Sequence, residues 1–336
     1  MRDVLNTTTT KPRVLHTIVK IALIAAAVYA LWRWVDWTRV ASSLLNMSLG
    51  ALLLAIALAS ADRVLMGFKW RQLIRAGGGS LRLRDAVNIY YQASFSDHVL
   101  PNVVASEALR VYLGRQCGVP APLLLGSMAI ERIIGGLVAI ALAGVGLLVV
   151  AAQLEPQMRG TFIVIVAAAT VIGVLVIVAA WWTPLHRVAG RALRQWIPPK
   201  IFSLLGKISH ALVAYRAQPK ALVLNLLMTT GENLLMILNF YVIGRGLGVQ
   251  LPLIPFFAVI AVTSLVRRVA MYIEGRGLGE GSAMAMFAFL GVQKDAAVAL
   301  TFAHYAIWLV ASLPGAYLLY RSNVRIRDLT RASVGS

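Results

Sequence analysis

Apolar runs of about twenty residues recur along this chain, separated by short segments rich in lysine and arginine. The clear runs are Leu15–Val35, Leu44–Gly67, Ala121–Ala152, Thr161–Trp182, Ala221–Ile243 and Asp295–Tyr320. A helix needs roughly 20 residues to cross about 30 Å of hydrocarbon, so each run predicts a membrane span. Two more stretches, Leu81–Val119 and Ile254–Val292, are apolar but broken by polar residues. The first contains Asp97, His98, Pro101, Asn102, Glu107 and Arg110. The second contains Arg267, Arg268, Glu274, Arg276 and Glu280, with Gly275, Gly277, Gly279 and Gly281 at alternate positions. Irregular backbone at membrane depth survives only inside protein or beside a wet cavity. Each broken stretch therefore reads as two tilted spans or a re-entrant pair of half-helices, and either choice crosses the bilayer an even number of times.

Composition agrees with that pattern. Of 336 residues, 59% are hydrophobic and 13% charged, against about 25% charged in soluble domains. The net charge of +19 raises nucleic-acid binding as a reading. The basic residues sit between the apolar runs, however, which is the positive-inside signature of a membrane protein. With a cytoplasmic N-terminus, 23 lysines and arginines fall on the inner side and five on the outer. The expectation is a multi-pass protein of the bacterial inner membrane with both termini cytoplasmic. Lys11, Arg13 and Lys20 before Ala27-Val28-Tyr29-Ala30 resemble a signal peptide. Lys20 interrupts that run, and Trp32, Trp34 and Trp37 after it read as the interfacial anchor of a retained span. The lone Cys117 excludes an internal disulfide and a multi-cysteine metal site.

The expected organisation is a tail over 1–14, a first transmembrane unit over 15–152, a second over 161–320, and a tail over 321–336. The second unit contains a basic linker, 183–220. Within it Trp196, Ile201, Leu204 and Leu205 can face lipid while Arg191, Arg194, Lys200 and Lys207 face phosphates, and a solvated loop is the competing reading. The two broken stretches resemble each other. Glu107 precedes Gly118-Val119 by eleven residues, and Glu280 precedes Gly291-Val292 by eleven. A shift of 173 also brings Glu131 onto His304. Because the first stretch enters from the cytoplasm and the second from outside, the units are expected to be inverted repeats, an architecture that puts binding sites at the repeat interface.

Charges inside spans cost at least roughly 2.5 kcal/mol each at a helix centre and persist only when paired or in a polar cavity. Glu107, Glu131, Glu232, Glu274 and Glu280 fall in membrane-assigned segments, with Arg110, Arg132, Arg267, Arg268 and Arg276 in or beside them. Adjacent Glu131 and Arg132 point about 100° apart on a helix, so each needs a partner elsewhere, such as Glu107 or Arg110. Two roles compete for these residues. As structural salt bridges they fix the broken helices. As a site, the arginines hold a lipid phosphate in bidentate fashion while the glutamates hold cationic headgroups or carry protons. His304 reads as a proton carrier or a buried hydrogen-bonded histidine. No paired-histidine metal spacing, Gly-x-Ser-x-Gly elbow or phosphate loop occurs. Asp97-His98 beside Ser94 and Ser96 keeps an intramembrane lipid-modifying enzyme as an alternative, and a non-transporting scaffold of a lipid-synthesis complex is another.

Leu100-Pro101-Asn102, Ala105-Ser106-Glu107-Ala108-Leu109-Arg110, Ser127-Met128-Ala129-Ile130-Glu131-Arg132 and Gly277-Leu278-Gly279-Glu280-Gly281 together resemble the membrane domain of the lysylphosphatidylglycerol synthase/flippase family over about residues 15–320. That family includes stand-alone flippase-like and hopanoid-associated proteins. Three positions depart from its pattern. Val103-Val104-Ala105-Ser106 replaces a glycine-rich turn, Ala270-Met271-Tyr272 stands where a proline is usual, and Gly279 stands where arginine often precedes the second glutamate. These put the substrate in doubt, not the fold. The aminoacyl-transferase domain of bifunctional members is expected to be absent after Arg321.

The resemblance implies an all-α polytopic membrane protein of two inverted repeats, each with three spans and one broken or re-entrant helix pair. It implies a non-enzymatic lipid transporter for a phospholipid, hopanoid or polyprenyl-linked lipid. The candidate substrate-binding residues are Glu107, Arg110, Glu131, Arg132, Arg267, Arg268, Glu274, Arg276, Glu280 and His304. Membrane lipids are the expected partners, with a second copy and lipid-synthesis enzymes as further candidates. Nucleic acid, metal and cofactor are not expected.

Overall fold

A computed structural model describes residues 37–99, 103–151, 156–182, 215–272 and 278–322. The expected first span, the tails, most of the basic linker, Glu274 and Arg276 lie outside the described residues. Described elements are helices: α1 (Trp37–Leu45), α2 (Leu49–Ala76), α3 (Leu83–Val99), α4 (Val103–Gln116), α5 (Ala121–Ala151), α6 (Pro156–Trp182), α7 (Pro219–Gly246), α8 (Leu253–Tyr272), α9 (Leu278–Phe289) and α10 (Lys294–Ser322). Of these, α2, α5, α7 and α10 are long and apolar enough to cross a membrane among the described residues. The chain is a multi-pass membrane protein.

Both interrupted stretches resolve into helix pairs, α3–α4 and α8–α9. With 14 residues, α4 reaches about 21 Å at 1.5 Å per residue. With 12 residues, α9 reaches about 18 Å. Neither spans about 30 Å of hydrocarbon. One expected boundary moves. α2 continues to Ala76 rather than ending at Gly67, so Arg63 and Lys69, counted with the cytoplasmic charges on sequence, are buried inside it. Hydropathy averaging fails there because the second half of α2 mixes basic and aromatic residues, of which Arg63, Lys69 and Trp70 turn inward to protein while Phe68 and Arg75 stay exposed.

Local sequence sets the helix ends. Ser48 caps α2 by accepting the Ala51 N–H at 3.2 Å. Pro219 opens α7, where its missing N–H leaves no intrahelical bond unmade. Gly78 follows α2 at φ +88° and Gly248 follows α7 at φ +83°. Gly118 follows α4 at φ +83° and Gly291 follows α9 at φ +79°. Left-handed backbone of this kind suits glycine, and in each case the next residue's N–H returns to a carbonyl five back: Gly79 to Ile74, Val119 to Gly114, Val249 to Gly244 and Val292 to Phe287.

Packing follows a paired plan. α2 lies on α7, and the two run antiparallel: Asn239 Nδ2 donates to the Ala55 carbonyl at 2.7 Å near one end and Gln72 Nε2 donates to the Ala221 carbonyl at 3.4 Å near the other. α3 lies on α10 as α8 lies on α5, and α2 touches α10 as α7 touches α5. α1 flanks α10, and α6 flanks α5. In lipid, where burial of apolar surface supplies little drive between helices, small residues permit the close contacts. Gly315 of α10 faces the Tyr91 carbonyl of α3, and Gly146 of α5 faces the Ala258 carbonyl of α8. Trp70, Ile74, Tyr90, Leu109 and Leu124 form a core among α2 to α5. Phe240, Ile243, Phe256, Phe287 and Leu300 form another among α7 to α10.

Candidate functional site

Charged side chains gather where α2 meets α3, α4, α5 and α7. Glu107 and Arg110 are one turn apart on α4, and adjacent Glu131 and Arg132 lie on α5. The four cross-pair. Arg110 Nη2 donates to Glu131 Oε2 at 2.7 Å, and Arg132 pairs with Glu107. The divergence of Glu131 and Arg132 on one helix turn produces this arrangement, as the residue spacing predicts.

The two pairs differ in setting. Arg110 and Glu131 side chains are 11% and 9% exposed, while Arg132 and Glu107 are 35% and 36% exposed. The deeper pair is boxed by aromatics. The Arg110 guanidinium lies 4.6 Å from the Trp70 ring centre and 4.3 Å from that of Tyr90. Tyr90 Oη donates to both Glu131 carboxylate oxygens at 2.9 and 3.0 Å. Trp70 is itself fixed, since its Nε1 donates to Ser127 Oγ at 3.0 Å. A desolvated cation on aromatic faces gains about 2 kcal/mol or more, so the box offsets part of the cost of burying Arg110.

A second tier joins the halves. Lys69 of α2 pairs with Glu232 of α7, both largely buried. Half-buried Arg268 of α8 has its guanidinium against Gly135 of α5 and interacts electrostatically with Glu232. Half-buried Arg267 interacts electrostatically with His304. Asp62 and Arg63 of α2 form a further pair at 3.0 Å, with Arg63 4.1 Å above the Trp308 ring of α10.

Of the sequence candidates, Glu107, Arg110, Glu131 and Arg132 are brought into one cluster. Arg267 and Arg268 lie on α8 across the seam. The position of Glu280 lies in α9, while Glu274 and Arg276 are outside the described residues. His304 is 5% exposed, stacks on Phe240 at 3.6 Å between ring centres, and places Nδ1 3.2 Å from Asn239 Oδ1. That geometry is the buried hydrogen-bonded histidine of the two readings. Ser96 Oγ donates to the Gln92 carbonyl of its own helix at 2.9 Å, so its proton is directed away from His98. Sequence reasoning did not select Asp62, Lys69, Trp70 or Tyr90. Asp62 inside the run Leu44–Gly67 was a legible signal; the aromatic box had none, because only assembly brings Trp70 and Tyr90 to Arg110.

An open apolar cavity of about 410 Å³ lies between α7 and α8, lined by Leu234, Ile237, Leu238, Leu253, Ile254 and Phe257. Its apolar lining suits hydrocarbon rather than a headgroup. A protein-family profile described as the lysylphosphatidylglycerol synthase TM region matches residues 17–315. No curated protein matches the chain.

Proposed function

The chain belongs to the lysylphosphatidylglycerol synthase transmembrane-region family, and from that premise we propose that it moves an amphipathic lipid within the bacterial inner membrane, without covalent chemistry. The family points to a membrane-lipid role. The observation that carries the finer reading is the graded pair of ion pairs: Arg132–Glu107, more than a third open, in front of Arg110–Glu131, nearly closed. An incoming phosphate exchanges with a carboxylate on Arg132 at modest cost, because the outer pair is still hydrated. Arg110 then offers a planar, fixed charge behind it. The released glutamates accept a cationic headgroup group or stay as counter-charges. Acyl chains remain in hydrocarbon, for which the apolar cavity between α7 and α8 provides a seat.

We read the architecture as two inverted repeats, α2–α5 and α7–α10. The support is the antiparallel α2–α7 seam, the reciprocal α3–α10 and α8–α5 contacts, and the matched glycine turns at 78 with 248 and 118 with 291. The short α4 and α9 then complete re-entrant pairs with α3 and α8. Both termini are cytoplasmic in this reading, which follows the distribution of lysine and arginine. The substrate class is phospholipid, hopanoid or polyprenyl-linked lipid, and lipid-synthesis enzymes or a second copy are proposed partners.

The test is a scrambling assay. Purified protein enters liposomes carrying headgroup-labelled lipids, beside folded Glu131→Gln and Arg132→Ala variants. Movement of one lipid class by the wild type and not by the variants supports transport. Folded wild type that moves none of the lipids overturns it and leaves the scaffold reading.

A further inference from the structure

Asp62 and Arg63 sit near the middle of α2, 2% and 5% exposed. They are consecutive residues, so they cannot face each other as a fork. One bond joins them, Arg63 Nη1 donating to Asp62 Oδ2 at 3.0 Å. Asp62 Oδ1 and Arg63 Nε have no hydrogen-bond partner among the described residues. A buried ion pair is stable only when its remaining lone pairs and protons are also satisfied. Here one carboxylate oxygen and one guanidinium N–H are left over. A second buried pair two turns along, Lys69–Glu232, shows what a complementary arrangement across helices looks like in the same seam.

The surroundings give the Asp62–Arg63 pair a way to open. The Arg63 guanidinium lies over the Trp308 ring at 4.1 Å and also reaches Met66 Sδ at 3.5 Å, so it has a platform that does not depend on Asp62. Glu232 of α7 and Lys69 of α2 also lie within electrostatic reach of Asp62. On α3, Asp97 and His98 both lie within electrostatic reach of Arg63, and so does His304 of α10. His98 Nε2 is buried and has no hydrogen-bond partner among the described residues. Three leftover polar atoms, Asp62 Oδ1, Arg63 Nε and His98 Nε2, thus occur among charges of both signs.

Resting on the transport reading above, we propose that Asp62 and Arg63 form a proton–anion exchange site that couples lipid movement to a proton gradient. A proton from the aqueous phase binds the Asp62 carboxylate and removes its charge. The bond to Arg63 weakens, and the guanidinium, still seated on Trp308, takes the phosphate of an anionic lipid headgroup through Nε and a terminal nitrogen. When the phosphate leaves, Asp62 gives up the proton and recaptures Arg63. One proton is bound for each anionic headgroup held, and no covalent bond changes apart from the O–H bond made and broken.

Two readouts test this on the full chain in liposomes. The first is infrared spectroscopy across pH with no labelled lipid present. Wild type shows a carboxylic-acid C=O band that grows on acidification and is missing in Asp62→Asn. If Asp62→Asn fails to fold, Asp62→Glu carries the test by displacing the band instead. No titrating band in wild type, or a band unchanged in the variant, overturns the proposal. The second readout is movement of a headgroup-labelled anionic phospholipid with and without a pH gradient. Wild type moves it faster with the gradient, and Asp62→Asn moves it at one rate under both conditions. Lipid movement in wild type that ignores the gradient overturns the exchange and leaves transport standing. A titrating Asp62 with no lipid movement under any gradient overturns transport, and the coupling with it.

Discussion

The backbone carbonyl of Tyr91 occupies the space that a side chain on Gly315 would need. Pro314 precedes this glycine inside α10 and removes one helical N–H, so the helix is already loosened where it meets α3. Gly315→Ala must push the α3 backbone away, at about 1–3 kcal/mol for overpacking a well-fitted contact. Thermal unfolding in detergent should show the loss. Gly146→Ala, whose added carbon would meet the Ala258 carbonyl at 3.0 Å and so less closely than at Gly315, should cost less, and Gly160→Ala, which faces open space, should cause no loss.

Lys69 and Glu232 answer each other across the α2–α7 seam. Removing one leaves the other charged and buried, which costs about 3–5 kcal/mol. Lys69→Met and Glu232→Met should each lower the unfolding temperature strongly. The double variant Lys69→Met/Glu232→Met should recover most of the loss, because no lone charge remains. A double variant as unstable as the sum of the singles would show that the two do not act as a pair.

The two α4–α5 ion pairs should separate stability from activity. Arg110→Ala empties a box made by Trp70 and Tyr90 and strands Glu131, so the protein should unfold at lower temperature. Glu107→Gln sits more than a third open, and its unfolding temperature should stay close to wild type. Its rate of lipid movement in the scrambling assay should fall. Unchanged movement would remove the outer pair from the lipid path.

Cys117, the single cysteine, lies exposed in the turn between α4 and α5. Partial burial and, secondly, the nearby Asp85 carboxylate push its thiol above the usual range. A raised value leaves less thiolate at neutral pH, so maleimide labelling should accelerate further into the alkaline range than for free cysteine. A membrane-impermeant maleimide should reach it in inside-out vesicles and fail in right-side-out ones. The reverse pattern would invert the proposed orientation.

Much of this molecule was legible from residue order. Long apolar runs gave the spans, and the glycine and charge interruptions gave two helix pairs. The adjacency of Glu131 and Arg132 required outside partners, and Arg110 and Glu107 fill that need. Other features were hidden for definite reasons. Lys69 looked cytoplasmic because the stretch from Lys69 to Arg75 lowers the local hydropathy, and its neutralising carboxylate is 163 residues away. Nothing in the sequence singles out Trp70 and Tyr90; they matter only once α4 lays Arg110 against both rings. Asp62 was visible as a lone acid in an apolar run, but its incomplete bonding to Arg63 is a property of side-chain geometry.

The distance in sequence between Lys69 and Glu232 also sets a condition on how the chain is made. α2 carries Asp62, Arg63 and Lys69, and each charge near a helix centre opposes release into lipid by about 2.5–3.5 kcal/mol. Only Asp62 and Arg63 can neutralise each other within the helix. At about 5–20 residues per second, the 163 residues before Glu232 take roughly 8–33 s to synthesise. For that interval α2 is a poor lodger in the bilayer. Its insertion is therefore completed late, when α7 arrives and the newborn seam closes around the lysine.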